Sequence, residues 1–322
     1  MVTLQDIQDA QNAIATYTKS TPLIQSKFLS QLCRAQVYLK LENLQVTHSF
    51  KIRGVINKLL NLTDEEKAKG VITASAGNHG QAVALGAKEL GFKAKIVVPT
   101  NTPKIKVDGI LQYGAELVQH GGTYPEAERK AKELAQAEGR LYISPYNDEL
   151  IVAGHGTIGL ELLEHLPNVD VVVVPVGGGG LISGVSIAVK SLKPTTQVLG
   201  VQSAAVPIMF ESLSKGEIVK PHMHEDKTIA EGLSGGVEKG SITFGIIQKY
   251  VDELCLVREE SIRHAVYLLW KNDKQVIEGS GAASAALLLE HQDLFVGKTV
   301  ALVLTGGNID ETVFQTLLAW KK

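Results

Sequence analysis

The sequence predicts an α/β fold of two lobes, each with an open, parallel-rich sheet flanked by helices. Apolar runs of strand length alternate with helix-period segments along most of the 322 residues, and this length exceeds that of one average domain. The run DVVVVPVG, from Asp170, is apolar at successive positions. A strand of that kind is typical of a parallel sheet that helices cover on both faces.

Eight segments are predicted to be strands. In chain order they are VYLKLEN (from Val37), GVITAS (from Gly70), AKIVVP (from Ala94), AELVQH (from Ala115), LYISP (from Leu141), DVVVVPVG (from Asp170), QVLGVQ (from Gln197) and TVALVLTGG (from Thr299). Helical segments such as PEAERKAKELAQAEG lie between them, and this one ends at Gly139, where a left-handed cap fits. We place a lobe boundary near residues 144–148. It gives a large domain of residues 1–47 and 146–322 and a small domain of residues 48–145.

Charge and cysteine content exclude several classes of protein. The 32 basic and 34 acidic residues give a net charge of −2, so there is no electrostatic reason to expect nucleic acid or an anionic membrane as a partner. No apolar run is long enough to cross a bilayer, and the first residues lack a signal pattern. With only Cys33 and Cys255, a disulfide scaffold and a four-cysteine zinc site are excluded. We therefore expect a cytoplasmic protein.

A run of four glycines follows the most apolar predicted strand. Gly177, Gly178, Gly179 and Gly180 lead straight into the helical pattern LISGVSIAVKSL. Backbone N–H groups in such a run can close on an anion, and the positive end of the following helix adds to the attraction. The run lacks the Walker Lys-Ser/Thr pair and the GxGxxG spacing, which indicates a site for a single phosphate. A flexible turn is the alternative interpretation.

Two other predicted strands end in polar side chains. In TASAGNHGQAVA, Ser75, Gly77, Asn78 and His79 stand where a strand turns into a helix, and exposed N–H groups there suit a carboxylate. Simple capping by Ser75 or Asn78 is the alternative. In VLTGGNID, Thr305 ends the last strand.

For this TGGN stretch, the alternative to a functional strand end is a tight turn in which Asn308 caps the final helix. IEGSGAASAAL, around Ser280, has a similar small-residue character ahead of a helix.

Lys51 directly follows Phe50 in SFKIRG. It is either an ordinary solvated cation beside a core helix or a partly buried amine with chemistry to perform. Pyridoxal phosphate accounts for this lysine together with a phosphate site and a hydroxyl at a strand end. That cofactor needs a lysine for its Schiff base, an anion site and a partner for its ring nitrogen.

The sequence resembles the fold-type II pyridoxal-phosphate enzymes, which have the fold of the tryptophan synthase β subunit. Within them it is similar to the serine/threonine dehydratase (threonine ammonia-lyase) and serine racemase family. The motifs SFKIRG, SAGNHGQ, GHGTIG, GGGGLISG and TGGN stand in the order of that family, and the match runs from TPLIQS, near Thr21, to the last helix. The resemblance implies a pyridoxal 5'-phosphate cofactor and a homodimer.

The resemblance also implies roles for single residues. Lys51 would form the Schiff base, Phe50 would pack beside the cofactor ring, and Thr305 would face the pyridine nitrogen. Further cofactor contacts are implied for Asn78 (phenolic oxygen), Gly177, Gly178, Gly179, Gly180 and Leu181 (phosphate), Gly232 (ring and amine) and Glu278 (exocyclic edge). The loop that receives the substrate carboxylate would be Ser75, Ala76, Gly77, Asn78 and His79.

These residue types favour β-elimination. A hydroxyl at residue 305 does not favour a protonated pyridine ring, and a neutral ring is the weaker electron sink. A reaction in which the leaving group departs as the α-proton is taken suits such a site, with Lys51 as the general base. The resemblance suggests the cofactor phosphate as the acid. L-threonine and/or L-serine would then give a 2-oxo acid and ammonia.

Several alternatives stay open. In serine racemases a serine supplies the second acid/base group, and here that position is Ala76, which cannot carry a proton. The acids of their cation site would fall near Gln202 and Ile208, so we expect no essential metal, and we interpret HMHED (222–226) as a polar loop. Serine racemisation, dehydration of another 3-hydroxy amino acid such as 3-hydroxyaspartate, and a binding protein without catalysis remain alternatives.

Two histidines depart from the family pattern. His48 replaces a common glycine, and His155 stands where relatives usually have glutamine. Structural variation away from the reacting atoms is one interpretation of both. The other is that His48 reshapes the substrate pocket or offers a titrating group.

Overall fold

A computed structural model gives the structure of the protein and describes residues 1–219 and 228–319. Ten strands form two sheets within these residues. The strands are β1 (Leu23–Gln25), β2 (Gln36–Leu41), β3 (Val71–Ala74), β4 (Ala94–Val98), β5 (Glu116–Gln119), β6 (Leu141–Tyr142), β7 (Val171–Pro175), β8 (Gln197–Ser203), β9 (Glu253–Val257) and β10 (Thr299–Leu304).

Helices connect most of these strands. They are α1 (Leu4–Ile14), α2 (Lys27–Cys33), α3 (Lys51–Leu60), α4 (Asp64–Lys69), α5 (Asn78–Glu89), α6 (Lys104–Leu111), α7 (Tyr124–Glu138), α8 (Glu149–His165), α9 (Gly180–Leu192), α10 (Ile208–Lys215), α11 (Ile242–Tyr250), α12 (Glu259–Asp273), α13 (Gly279–Glu290) and α14 (Glu311–Leu318). Short 3-10 helices lie at Glu42–Leu44, Glu231–Leu233 and Gln292–Phe295.

The larger sheet has the strand order β1-β2-β10-β7-β8-β9. All its pairings are parallel except that of β1, which runs antiparallel to β2 with Leu23 opposite Lys40. Alternate residues of β7 enter two different cores. Val171 and Val173 pack with α13 on one face, whereas Val172 and Val174 pack with α9 on the other. This double burial confirms the prediction for DVVVV.

The smaller sheet has the order β5-β4-β3-β6, and its pairings are all parallel. Its strands come from residues 71–142, inside the range predicted for the small domain, whose exact boundaries stay a prediction. Helices α3 and α5 pack on one face and α7 on the other. The apolar stripe of α3, with Ile52, Val55, Ile56 and Leu59 at helical spacing, explains why this helix turns one side to the sheet.

The α/β fold with parallel-rich sheets is therefore confirmed, and so is the left-handed cap at Gly139, whose φ is 66°. The sequence prediction missed β1 and β9. Each is an edge strand of three to five residues, and only two residues of β9 are fully buried. Short, half-exposed edge strands leave little periodicity to detect. Across the described ranges, no helix combines the length and apolar character needed to span a bilayer.

Candidate active site

Lys51 is the first residue of α3, and Phe50 is its N-terminal neighbour at the cap position. The Lys51 Nζ donates a hydrogen bond to the carbonyl of Pro145 at 2.9 Å and lies 5.0 Å from the centroid of the Phe50 ring. Burial lowers the pKa of Lys51 to about 8, although the Glu278 carboxylate acts in the opposite direction. Lys51 is therefore a partly buried amine that loses its proton more readily than an ordinary lysine.

Backbone contacts join the Lys51 segment to the loop after β10. The N–H of Phe50 donates to the carbonyl of Thr305 at 3.1 Å, and Ser49 forms an isolated antiparallel bridge with Gly306. Thr305 is itself buried. The predicted Schiff-base lysine and the predicted partner of the ring nitrogen thus lie in adjoining backbone segments.

Asn78 begins α5, and hydrogen bonds hold its amide on both sides. Its Nδ2 donates to Glu278 Oε1 at 2.7 Å, and its Oδ1 accepts from the Nδ2 of Asn308 at 2.7 Å. Gly306 lies against the Asn78–Glu278 hydrogen bond, because a Cβ there would be 2.7 Å from Glu278 Oε1 and 3.2 Å from Asn78 Nδ2. The orientation of the Asn78 amide is therefore set, and one of its two N–H bonds remains available to a ligand.

Glu278 has an unusual environment for a carboxyl group. Burial raises its pKa to about 7, with Asn78 and the nearby lysines Lys106 and Lys51 opposing that effect. It therefore titrates near neutral pH beside the candidate lysine.

The capping interpretations of this region are wrong. The cap of α5 is Gly77, without a side-chain cap bond, and Ser75 Oγ instead accepts the N–H of Gly77 at 3.2 Å. The last helix, α14, is capped by Asp310, which leaves Asn308 free to hold Asn78. The first-turn N–H groups of α5 thus have no side-chain cap, which is compatible with the predicted carboxylate site.

His79 and Ala76 complete this loop. His79 is buried, and its Nε2 lies 3.1 Å from the carbonyl of Ile143, to which it donates. Burial, followed by the Lys51 charge, lowers the pKa of His79 to about 3, so the ring is neutral. Ala76 packs its methyl group against the core of the smaller sheet.

The glycine run has the geometry of an anion site. Gly179 is the cap of α9, with a φ of 89°, and α9 has no side-chain cap, so the N–H groups of its first turn are open. A Cβ on Gly178 would lie 2.4 Å from the ring of Tyr146, so only glycine fits beneath that ring. Leu181, in the first turn of α9, is buried.

Gly232 and Ser280 lie beside the glycine run. A Cβ on Gly177 would lie 2.9 Å from the Gly232 carbonyl, and the Gly232 N–H donates to Ser280 Oγ at 2.9 Å. Residues 145 and 146 connect this half of the site with the first, because Pro145 binds Lys51 and Tyr146 covers Gly178. The predicted residues are thus brought together in one place.

Sequence reasoning missed the supporting groups. The Pro145 carbonyl, the Tyr146 ring and the amide of Asn308 act through contacts between distant parts of the chain. The only signal was position, since 145–146 follow a strand end and Asn308 follows the TGG turn. Neither position specifies a partner.

The other singled-out polar residues are placed differently. His48 is exposed, with a left-handed φ of 54°, and its carbonyl accepts the N–H of Gly307 at 2.9 Å. Gln202 is buried and uses its Oε1 to accept the N–H of Phe210. In residues 1–219 and 228–319 no group of three or more His, Cys, Asp or Glu side chains could hold a metal. HMHED (222–226) lies outside the described residues.

The residues present fit one small cofactor with an aldehyde and a phosphate. The buried amine has a lowered pKa, the open start of α9 suits a phosphate, and the Asn78 amide has an N–H to spare. The chain belongs to the pyridoxal-phosphate dependent enzymes, whose family model matches residues 14–306. The family, cofactor and enzyme class predicted from the sequence are therefore confirmed.

Comparison with particular relatives shows which pyridoxal-phosphate enzymes the chain is similar to in sequence and structure. The chain is 44% identical to the L-threonine ammonia-lyase of Thermotoga maritima over 99% of its own length and 78% of the relative's. It is also 44% identical to the catabolic L-threonine dehydratase TdcB of Escherichia coli K12, over 96% and 94% of the two chains. The solved processed threonine deaminase isoform 2 from Solanum lycopersicum superposes with a TM-score of 0.93 at 35% identity, covering 98% of this chain and 87% of that one.

A solved maize serine racemase is also similar. Its TM-score is 0.91 at 33% identity, and the match covers 98% of this chain and 97% of the racemase. The fold alone therefore does not separate elimination from racemisation.

Proposed function

We propose that the protein removes water from L-threonine and/or L-serine by β-elimination and releases a 2-oxo acid and ammonia. The observation that carries this proposal is the Lys51 amine, with its lowered pKa, near two helices whose first turns are uncapped. The two relatives at 44% identity, named for activity on L-threonine, support the choice of substrate.

The proposed cofactor contacts follow the sequence prediction. Lys51 would hold pyridoxal phosphate covalently, the N–H groups of residues 177–181 would hold its phosphate, and the free N–H of Asn78 would bind its phenolic oxygen. Bound there, the cofactor supplies an electron sink for charge that develops at the substrate α-carbon.

The proton is moved by Lys51. An amine whose pKa is about 8 is roughly one-tenth unprotonated at pH 7, far more than an ordinary lysine, so Lys51 can take the α-proton of a bound substrate. The Thr305 hydroxyl carries no negative charge that would hold a proton on the ring nitrogen. It therefore favours departure of the hydroxyl group over a long-lived carbanion.

The start of α5 binds the substrate carboxylate. Its first-turn N–H groups are uncapped, and the positive end of the helix favours an anion. Buried, neutral His79 supports this turn through the Ile143 carbonyl without adding charge. The loop thereby orients the α-carbon toward Lys51.

The test is 2-oxo acid release by purified protein with added pyridoxal phosphate. The substrates are L- and D-serine, L- and D-threonine and 3-hydroxyaspartate, and we expect the L-forms of threonine and serine to react fastest. A Lys51→Ala variant should be colourless and inactive. A wild-type protein that stays colourless with added cofactor would overturn the proposal.

Racemisation is measured in the same assay. Ala76 offers no proton on the second face of the substrate, so chiral analysis should show little D-serine formed from L-serine. Rapid interconversion of the serine enantiomers, with little 2-oxo acid, would favour the racemase alternative.

We propose further that the protein is a cytoplasmic homodimer. Leu44 and Val276 are 43% and 44% exposed, and Asn43 joins their segments by donating to the Val276 carbonyl. Such exposed apolar side chains fit a subunit interface. Cys33 and Cys255 are both unpaired thiols, which suits a reducing compartment. Sedimentation equilibrium and cell fractionation test the two statements.

A further inference from the structure

The backbones of helices α3 and α8 are in contact two to three residues after Lys51. A Cβ on Gly154 would lie 2.5 Å from the Arg53 carbonyl oxygen and 2.6 Å from the Gly54 Cα. A Cβ on Gly54 would lie 2.5 Å from Cε1 of His155. Two glycines in contact therefore let the imidazole of His155 reach the main chain of α3.

His155 uses that proximity to bind the first turn of α3. The N–H of Gly54 donates to His155 Nδ1 at 3.2 Å. The carbonyl of Phe50 already accepts the N–H of Arg53 at 3.0 Å, and Phe50 provides no side-chain cap. A helix start without its own cap is thus held by a side chain from another helix.

The same imidazole supports the ring beside Lys51. The rings of His155 and Phe50 meet edge to face, with centroids 4.7 Å apart and an angle of 67° between their planes. Phe50 in turn lies 5.0 Å below the Lys51 ammonium, within the range of a cation–π contact. The side chains of His155, Phe50 and Lys51 therefore form a continuous series of contacts.

His155 can fill this position only as a neutral ring. It is buried, and burial together with the charges of Lys51, His79 and Arg53 lowers its pKa well below the ordinary value. Because Nδ1 accepts a hydrogen bond, the proton is on Nε2, which has no partner among the described residues. A protonated ring would lose the acceptor that Gly54 needs.

We propose that His155 is a positioning residue for Lys51. Its Nδ1 fixes the first turn of α3 and its edge supports Phe50, so that the Lys51 amine is directed into the site. The proposal rests on the proposed function, because it takes Lys51 as the residue that carries the chemistry.

Two variants separate the hydrogen bond from the ring contact. His155→Asn keeps an amide oxygen where Nδ1 lies, whereas His155→Leu removes the acceptor, and both lose the contact with Phe50. We expect the leucine variant to lose about tenfold or more in kcat, with KM little changed, because a misdirected catalytic group affects the chemical step. The asparagine variant should lie between the leucine variant and wild type in kcat, because it keeps the acceptor for Gly54 but lacks the contact with Phe50.

Amide hydrogen exchange of the cofactor-free protein gives a readout independent of activity. The peptide covering residues 50–59 should exchange faster in His155→Leu than in wild type, and His155→Asn should restore slow exchange. A wild-type protein without activity would refute the proposed function, yet the exchange comparison would still test the hydrogen bond.

Three results would overturn the proposal. The first is a leucine variant with wild-type kcat and exchange, and the second is equal behaviour of the leucine and asparagine variants. The third is a lower melting temperature with unchanged kcat, which would show that His155 has a purely structural role. Should the leucine variant fail to fold, His155→Ala replaces it, since it removes the same acceptor without adding bulk.

Discussion

Lys51 is the proposed attachment point of the cofactor, so its ionisation is expected to control cofactor loading. Only the unprotonated amine attacks an aldehyde, and burial lowers the pKa of Lys51 to about 8. The rate of cofactor attachment to cofactor-free protein should therefore rise with pH and level off above about pH 8, which stopped-flow visible absorption would show. An ordinary lysine would level off only above about pH 10.

Substitution of Glu278 tests whether this lowered pKa belongs to Lys51. Its charge raises the pKa of Lys51, so Glu278→Gln should move the midpoint of the profile to lower pH. A midpoint near that of free lysine, or one unaffected by this substitution, would contradict the account.

Asn308 is expected to control cofactor affinity through Asn78. Its Nδ2 donates to Asn78 Oδ1 at 2.7 Å and to the Thr47 carbonyl at 2.9 Å. Asn308→Ala should raise the Kd for pyridoxal phosphate about tenfold. This corresponds to about 1.4 kcal/mol, the size expected for the loss of one hydrogen bond. Titration of cofactor-free protein measures this, and Asn61→Ala, at the far end of α3, should have no effect on affinity.

His48 is expected to cost stability rather than to take part in chemistry. Its φ of 54° is in the left-handed region, where glycine is unstrained, and its side chain is exposed. His48→Gly should raise the free energy of unfolding by about 1 kcal/mol, as measured by urea denaturation, and leave the pH–rate profile unchanged. A changed substrate profile would instead support the pocket-shaping interpretation.

Much of this residue-level picture could be predicted from the sequence. Lys51 and the glycine run have local patterns, because an amine after an aromatic ring and four consecutive glycines are recognisable without a partner. Asn308 and His155 could not be assigned, since their roles depend on which distant atoms the fold brings near them. Asn308 even resembled a helix cap, a role that the structure gives to Asp310.

Among the elements, α3 is held by a buried ionic network. Arg53 donates to both oxygens of Glu42, at 2.8 and 2.9 Å, and to Glu161 at 2.6 Å, and Lys40 also pairs with Glu161. Arg53 belongs to α3 and Glu161 to α8, whereas Lys40 is in β2 and Glu42 begins the 3-10 helix that follows it. The network thus ties the helix that begins at Lys51 to the larger sheet.

Breaking this network should destabilise the fold strongly. Glu161→Gln leaves Arg53 and Lys40 with less compensating charge in a buried site, and we expect a loss of about 3–5 kcal/mol in the free energy of unfolding near neutral pH. Burial raises the pKa of Glu161, but Arg53 and Lys40 outweigh it and lower the pKa below the ordinary value. The stabilisation is therefore present above about pH 4.5 and is lost as pH falls through the lowered pKa.

Urea denaturation across this pH range measures the effect. The difference between wild type and Glu161→Gln should shrink as the solution becomes acidic. Glu116→Gln, which breaks a more exposed pair with Lys95 and Arg140, should cost less than about 1 kcal/mol. Equal losses in the two variants would contradict the importance of the buried network.

For the molecule as a whole, two ion pairs join the helices of the smaller sheet to the segment that holds Gly232. Lys106 of α6 binds Glu231 at 2.5 Å, and Lys132 of α7 binds Glu238 at 2.9 Å. Both pairs are partly exposed, so each contributes little to stability. They connect the part of the site built on α5 with the part built on the larger sheet.

Removing both acids should therefore affect binding more than folding. The double variant Glu231→Gln, Glu238→Gln should change the free energy of unfolding by less than about 1 kcal/mol, raise KM and weaken the salt dependence of KM. Steady-state kinetics at low and high salt measure this. Glu65→Gln, which breaks the surface pair with Lys69, is the control and should leave KM unchanged. Unaltered KM and salt response in the double variant would refute the prediction.

The pairing of β2 with β10 has a consequence for how the protein is made. These strands stand near opposite ends of the chain, and the bridge between Ser49 and Gly306 spans a similar interval. The smaller sheet lies entirely within residues 71–142, so the ribosome delivers it early and complete. During translation β2 lacks its parallel neighbour, and Lys51 lacks the loop beside it, until β10 has emerged. Stable cofactor binding at the proposed site is therefore expected only after residues 299–306 have emerged.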